Sequence, residues 1–511
     1  VTRRALRRQA YINALFKEES IMDDQLTPGM RRSFNRRSFL RLAMASGGAA
    51  ILAACGGGAT APTASDATAG APAAATSGAA PAPTTGAAAP ATVAPSSGQT
   101  TVAWFNPYTT KTTQEALPII IAEFEKQNPD IKIDYQNPGG TGGGGNYNEA
   151  LLSKIAGGNP PDVTTLASTP AEFAASGSLL AIDDYMSAAK TAKPNAFYPA
   201  PLKSCQWQSK TYALPSSAGA GAIYMNTKLL KDKNLPTARD QFPKTWDELQ
   251  QMSKELTVIE NGEVKQAGFV PFVTSWLYPA WSALNGGKIF DAASNKYMID
   301  SDANVQWLQY WLSWIDNQYG GDFEKLNTAA HWDDAYPDSA FNQGKLAMVP
   351  TGSWVSTDAE IPFEWEVAKL PVGPGGSKSV TAFWPNWWAI PKGAQHPEAA
   401  FRFIEYMSTT GWQTWYTYIM DTPAWKQFPS DISTTKLVNT IGKDRATSVD
   451  KFFADYLNDA VEMWTSPIES FANDTLSSAV GEVLSKKKAA KDALAEAQKL
   501  CQDKLNETLK G

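Results

Sequence analysis

From Gly56 to Gln99 the chain runs almost entirely on Ala, Pro, Thr, Gly and Ser, with one charged residue, Asp66, and no aromatic residue. Such a stretch cannot bury enough apolar surface to offset the entropy of ordering it. It predicts a flexible, proline-stiffened tether over 55–100 rather than part of a core. The tether divides the 511 residues unequally. What precedes it is basic: up to Arg41 there are ten Lys/Arg against four Asp/Glu, which leaves 35 against 47 and a net charge of about −12 for the rest. An acidic body has no electrostatic pull toward nucleic acid or anionic lipid, which argues against both partners. Any core has to be built from about Thr101 onward.

The basic part reads as an address. Arg36-Arg37-Ser38-Phe39-Leu40 resembles a twin-arginine export signature, and Leu42–Ala54 is an apolar run of 13 mostly small residues. That run is too short for the roughly 20 residues of a membrane-spanning helix. Leu52-Ala53-Ala54-Cys55 then resembles the lipobox of bacterial lipoproteins, in which the signal is cut before the cysteine and the thiol carries lipid. The order of the three features implies a signal region over 1–54 and lipidation at Cys55. Met30 would give a signal of ordinary length. The body is thus expected outside the cytoplasm, tethered through its lipid to the outer face of the cell membrane.

Beyond the tether, TTVAWF (Thr101 to Phe105) is rich in strand formers, and Leu117, Ile120, Ile121 and Phe124 follow helical spacing up to the Asn128-Pro129 stop. IKIDY (Ile131 to Tyr135), a second helix with Ala150, Leu151, Leu152 and Ile155 ending at Gly157-Gly158, and PDVTTLA (Pro161 to Ala167) continue the alternation. Strand, helix, strand, helix, strand predicts a doubly wound α/β arrangement, where ligands bind beyond the carboxyl ends of the strands.

GGNPPDV (Gly157 to Val163), YALP (Tyr212 to Pro215), AIYMNTKLL (Ala222 to Leu230), PKTWDEL (Pro243 to Leu249), AFNQGKLAMVPTGSW (Ala340 to Trp354) and AIPKGAQHPEAAFRFIEYMST (Ala389 to Thr409) stand in one order. Together they resemble extracellular solute-binding proteins of the maltose/oligosaccharide type, over essentially all of 101–511. The resemblance implies a two-lobed, type II periplasmic-binding-protein-like α/β fold with a ligand cleft between lobes joined by a multi-strand hinge. Lobe 1 would be 101–214 plus 390–445 and lobe 2 would be 222–380 plus 446–511. Crossings are expected near 215–221, 383–390 and the 440s. One departure stands out: where many relatives carry Gly-Gly, this chain has Trp384 and Pro385.

A sugar offers apolar C–H faces and a belt of hydroxyls, so its site needs aromatic plates and short polar groups. By resemblance, Asn106 and Tyr108 follow the first strand, Ser168 and Thr169 follow the third, and Trp276, Tyr278 and Trp354 come from lobe 2; Ser216 lies in the first crossing. In TAFWPNWWAIPKG (Thr381 to Gly393), Pro385 bends the chain, and Trp384 and Trp387 are expected to line the cleft while Trp388 enters the core. Trp307, Tyr310, Trp311 and Trp314 share a helix face and are expected to be core, Trp246 to pack locally, and His331 to lie in a solvated loop.

Cys55, Cys205 and Cys501 form no CxxC pair, and His331 and His396 are the only histidines. This argues against a metal site or a cofactor. Whether Cys205 and Cys501 pair is open. Asp183-Asp184 and Asp333-Asp334 are sequence neighbours and do not readily face each other across a bond, so no acid/base pair is implied. The resemblance implies a non-enzymatic, monomeric substrate-binding component of an ABC importer that delivers a neutral sugar or oligosaccharide to its permease. The alternatives are a glycerol-phosphate or other polar solute in the same role, for which no arginine stands among the candidates, and a surface glycoside hydrolase.

Overall fold

A computed structural model describes residues 98–138, 145–272, 274–428, 435–461 and 463–510. The export signal, Cys55 and the tether lie outside the described residues, apart from the last few residues before Thr101.

Strand β1 (Thr100–Phe105) buries Val102, Trp104 and Phe105. Helix α1 (Lys111–Gln127) starts at Thr110, whose hydroxyl accepts from the Thr113 N–H, and buries Leu117, Ile120 and Phe124 against the sheet. Ile121, expected on that face, is only half buried. Strand β2 (Ile131–Gln136) returns parallel to β1, with Trp104 opposite Tyr135. Helix α2 (Gly145–Ala156) buries Tyr147 and Leu151 but leaves Leu152 exposed. It ends as expected, Gly158 taking the left-handed conformation that a side chain would strain. Strand β3 (Val163–Leu166) leads into the short helix α3 (Pro170–Ala175).

The chain then runs through β4 (Ala213–Pro215) and β5 (Gly219–Asn226), and later through β6 (Met348–Gly352), β7 (Trp365–Ala368), β8 (Phe383–Trp384) and β9 (Trp387–Ala389). One sheet has the order β2-β1-β3-β9-β4, with β9 antiparallel to both neighbours. A second sheet is built around β5, which pairs antiparallel with β6, β7 and β8. Each sheet with its helices forms a lobe. The long helix α4 (Asp302–Tyr319) belongs to the second lobe and packs against α5 (Glu469–Leu484) and the last helix, Ala490–Thr508.

Two crossings carry the chain between the sheets, at Ser216–Ala218 and at Pro385–Asn386. They are bonded to each other: the Ser216 N–H donates to the Asn386 carbonyl (3.1 Å), and the Asn386 N–H and Nδ2 donate to Ser217 Oγ (3.2 and 3.0 Å). A third segment lies beside the first crossing, with the Ala218 N–H donating to Thr422 and the Ala424 N–H donating to Ser216. It stands nearer the N-terminus than the 440s, because the helix Lys443–Tyr456 already packs on β5.

The second lobe's core is an aromatic ladder. Trp311 stands edge-on to Trp307 (5.0 Å) and Trp281 (5.4 Å), and Trp281 meets Trp246 at 5.6 Å. The expected stripe is buried at Trp307, Trp311 and Trp314; Tyr310 is half buried, its hydroxyl donating to Asp247. Trp246 opens its helix behind a capping box formed by Thr245 and Glu248. Cys205 and Cys501 are both free and buried.

Candidate cleft between the lobes

The crossings place the carboxyl ends of β1 and β3 opposite the start of β5 and the end of β6. On the second lobe, Trp276 and Trp354 are half buried with ring centroids 5.3 Å apart at 45°. Glycines let them lie close to the sheet. A Cβ at Gly352 would fall 2.2 Å from the Trp354 ring, one at Gly219 2.7 Å from it, and one at Gly221 3.1 Å from Trp276. No side chain larger than hydrogen fits under these indoles, so the sheet's own backbone supports them.

The first lobe offers polar groups where β1 and β3 end. Asn106 is buried; its Oδ1 lies 3.5 Å from the Tyr108 N–H, and its Nδ2 has no hydrogen-bond partner. Buried donors are rarely left unpaired, and this one stands at a strand end where a ligand would sit. Tyr108 is half buried beside Trp384, and burial pushes its hydroxyl well above the usual range. Ser168 is buried with its Oγ accepting from Asn148 Nδ2 (3.1 Å), and the Thr169 hydroxyl is buried without a partner. Trp384 is half buried and edge-on to Trp387 at 5.1 Å.

Three expected contacts belong to the packing instead. Trp387 is fully buried among Phe105, Leu166 and Phe173, its Nε1 donating to Ser204 Oγ (3.0 Å). Because β9 is paired on both sides and covered on both faces, the residues on either side of its pleat are core. Trp388, on the opposite face, packs on Trp104 (5.2 Å) as expected. Ser216 is buried and spends its hydroxyl on Trp388 Nε1 (2.8 Å) and the Asn386 carbonyl (3.3 Å). Tyr278 opens a helix inside the second lobe and packs edge-on to Trp307 at 5.7 Å; burial raises its hydroxyl to about 12.

The structure adds residues that sequence reasoning missed. Asp421 is buried where Gly219 makes room, since a Cβ there would meet Asp421 Oδ1 at 2.4 Å. Ser353 Oγ donates to Asp421 (2.9 Å), while burial raises the carboxyl to about 7. Its charge bears on Tyr108, so it belongs to the same cluster. Asp358 accepts from the Tyr336 hydroxyl (3.0 Å) and is also raised, first by burial. Asp421 had one faint signal, a carboxylate in the apolar, proline-bounded IMDTPAW. The three arginines of the body are engaged elsewhere: Arg239 with Glu366, Arg402 with Asp130, and Arg445 over the Trp365 ring. His331 is exposed and pairs with Asp338. Among the described residues, no three His, Cys, Asp or Glu side chains gather as around a metal ion.

Residues 106–414, more than half of the chain, match the family of bacterial extracellular solute-binding proteins. The Pyrococcus horikoshii ABC transporter extracellular-binding protein PH1214 is 25% identical over 389 residues, covering 69% of this chain and 81% of its own. Among solved structures, CpMnBP1 with mannotriose bound superposes with a TM-score of 0.66 at 22% identity, over 79% of this chain and 100% of that one. The Listeria monocytogenes ABC substrate-binding protein Lmo0181 in complex with cycloalternan reaches 0.67 at 22% identity, over 80% and 99%. These likenesses carry the two-lobed fold, and with the family match they show that the chain belongs to the bacterial extracellular solute-binding proteins.

Proposed function

We propose that this protein is the substrate-binding component of an ABC importer, tethered outside the cytoplasm through Cys55, which captures a neutral oligosaccharide between its lobes and delivers it to a membrane permease. The observation that carries the reading is the pair of glycine-backed indoles Trp276 and Trp354 in one lobe, together with the unpartnered buried amide of Asn106 at the end of β1 in the other. Flat aromatic faces match sugar C–H faces, and an unpaired buried donor matches a hydroxyl. Tyr108, Ser168, Thr169 and Trp384 complete the contacts. Relatives of the same fold bind mannotriose and cycloalternan, which supports an oligosaccharide. The cluster holds carboxylates and no arginine, which disfavours an anionic ligand such as glycerol phosphate. The lobes close as rigid bodies about the bonded crossings, since a ligand touching both stabilises the closed form.

Incubation with mannotriose and with maltotriose, followed by chromatography, tests the role. The expected result is one equivalent of sugar carried with the protein and recovered intact. Cleaved sugar would replace capture with hydrolysis.

A further inference from the structure

The two lobes exchange carboxylates. Glu469, the first residue of α5 in the second lobe, accepts from the Thr169 N–H of the first lobe at 2.6 Å. Glu172, on α3 of the first lobe, accepts from Ser470 of the second lobe through its N–H (3.2 Å) and its Oγ (2.8 Å). Each carboxylate thus holds backbone at the start of the other's helix. Glu469 is 2% exposed in this arrangement of the lobes, with a first-lobe N–H as its partner. The segment it holds, Ser168–Thr169, carries two of the polar groups assigned to the ligand.

We propose that Glu469 and Glu172 are positioning residues, a reciprocal latch that fixes the Ser168–Thr169 segment when the lobes close and makes closure depend on a proton. The inference rests on the two-lobed capture described above, but not on the ligand being a sugar.

The proton dependence follows from what surrounds the pair. Burial, and next the Thr169 N–H acting against it, leave Glu469 raised to about 7, with the Glu172 charge adding to the rise. Glu172 is raised too, first by burial, and Asp474 one turn along α5 pushes the same way. From the neighbouring strand Lys296–Tyr297, Tyr297 faces both carboxylates as a neutral hydroxyl donating to Ser466 Oγ (2.6 Å). Among the described residues, no Lys, Arg or His bears on the pair. Opening the lobes returns Glu469 to water, where its affinity for a proton falls. The closed form therefore binds more protons than the open one. Its advantage is complete at low pH and is lost as pH rises through about 7, roughly tenfold between pH 6 and pH 8 for one such carboxylate.

Hydrogen exchange of the ligand-free full chain, read on peptides spanning Ser168–Phe173 and Glu469–Ala472 and corrected for intrinsic rates, tests this without assuming any ligand. In the parent protein, protection should fall about tenfold from pH 6 to pH 8. Glu469→Gln keeps an acceptor for the Thr169 N–H but cannot titrate, so its protection should hold at both pH values. Glu469→Ala should lose it at both. Protection that ignores pH in the parent, a fall equally steep in Glu469→Gln, or no protection at either pH would overturn the latch. Failure of the sugar reading would leave all of these results in place.

Discussion

Trp311→Ala is expected to lower the stability of the folded body by about 3–5 kcal/mol, while the remaining folded protein binds ligand nearly as well as before. Trp311 is 1% exposed and stands between Trp307 and Trp281, with further rings at Trp246 and Tyr278 continuing the ladder. Alanine would remove an indole from a region where no neighbour can fold in to replace it, because the flanking rings are fixed by their own contacts. The residual cavity adds to the lost burial. Trp276 and Trp354, the proposed ligand contacts, rest instead over Gly219, Gly221 and Gly352, so their geometry should survive. Urea titration read by circular dichroism, with affinity measured below the transition, separates the two quantities. A loss of affinity larger than the loss of stability would place Trp311 in the binding machinery.

The opposite pattern is expected at Trp354. Trp354→Ala should cost on the order of 2 kcal/mol of binding, about thirtyfold in Kd, with only a small change in melting. Its ring lies over Gly219 and Gly352 and against Trp276, leaving surface for a ligand. Covering a half-wet indole with a sugar removes apolar area from water on both partners, and such anchors dominate small interfaces. Trp276→Ala should behave alike, since the two rings form one platform. Calorimetric titration of both variants with whichever oligosaccharide the parent binds gives the comparison. Parent-like affinity in both would remove the aromatic platform from the site.

Trp311 and Trp354 are told apart in the sequence by different signals, and the reasons show what could be read there. Trp311 was legible as core because helical spacing sets it beside Trp307 and Trp314, a purely local pattern. The strand–helix alternation of the first lobe was legible for the same reason. Trp387 was misplaced because its environment depends on β9 being paired on both edges, with β3 and β4, and covered on both faces. No local pattern reports that. Ser216 looked free in a small, polar crossing, yet it satisfies the Trp388 indole across 172 residues. Tyr278 sat in the right segment, but the helix it opens turns it inward to Trp307. Asp421, Glu172 and Glu469 gain their character wholly from tertiary burial; Glu469 meets Thr169 across 300 residues. At Trp384-Pro385, where the resemblance led one to expect Gly-Gly, Trp384 stands beside Tyr108.

The most direct measurement is a thermal-shift screen of the full chain against neutral mono- and oligosaccharides beside glycerol phosphate, in the parent and in Trp354→Ala. A ligand bound only by the folded state stabilises it by about 2.7 kcal/mol at 100 times its Kd. At least one neutral oligosaccharide should raise the parent's melting temperature by a corresponding amount, and the same concentration should do far less for Trp354→Ala. A shift produced by glycerol phosphate, with none from any neutral sugar, would contradict capture of a neutral sugar between the lobes.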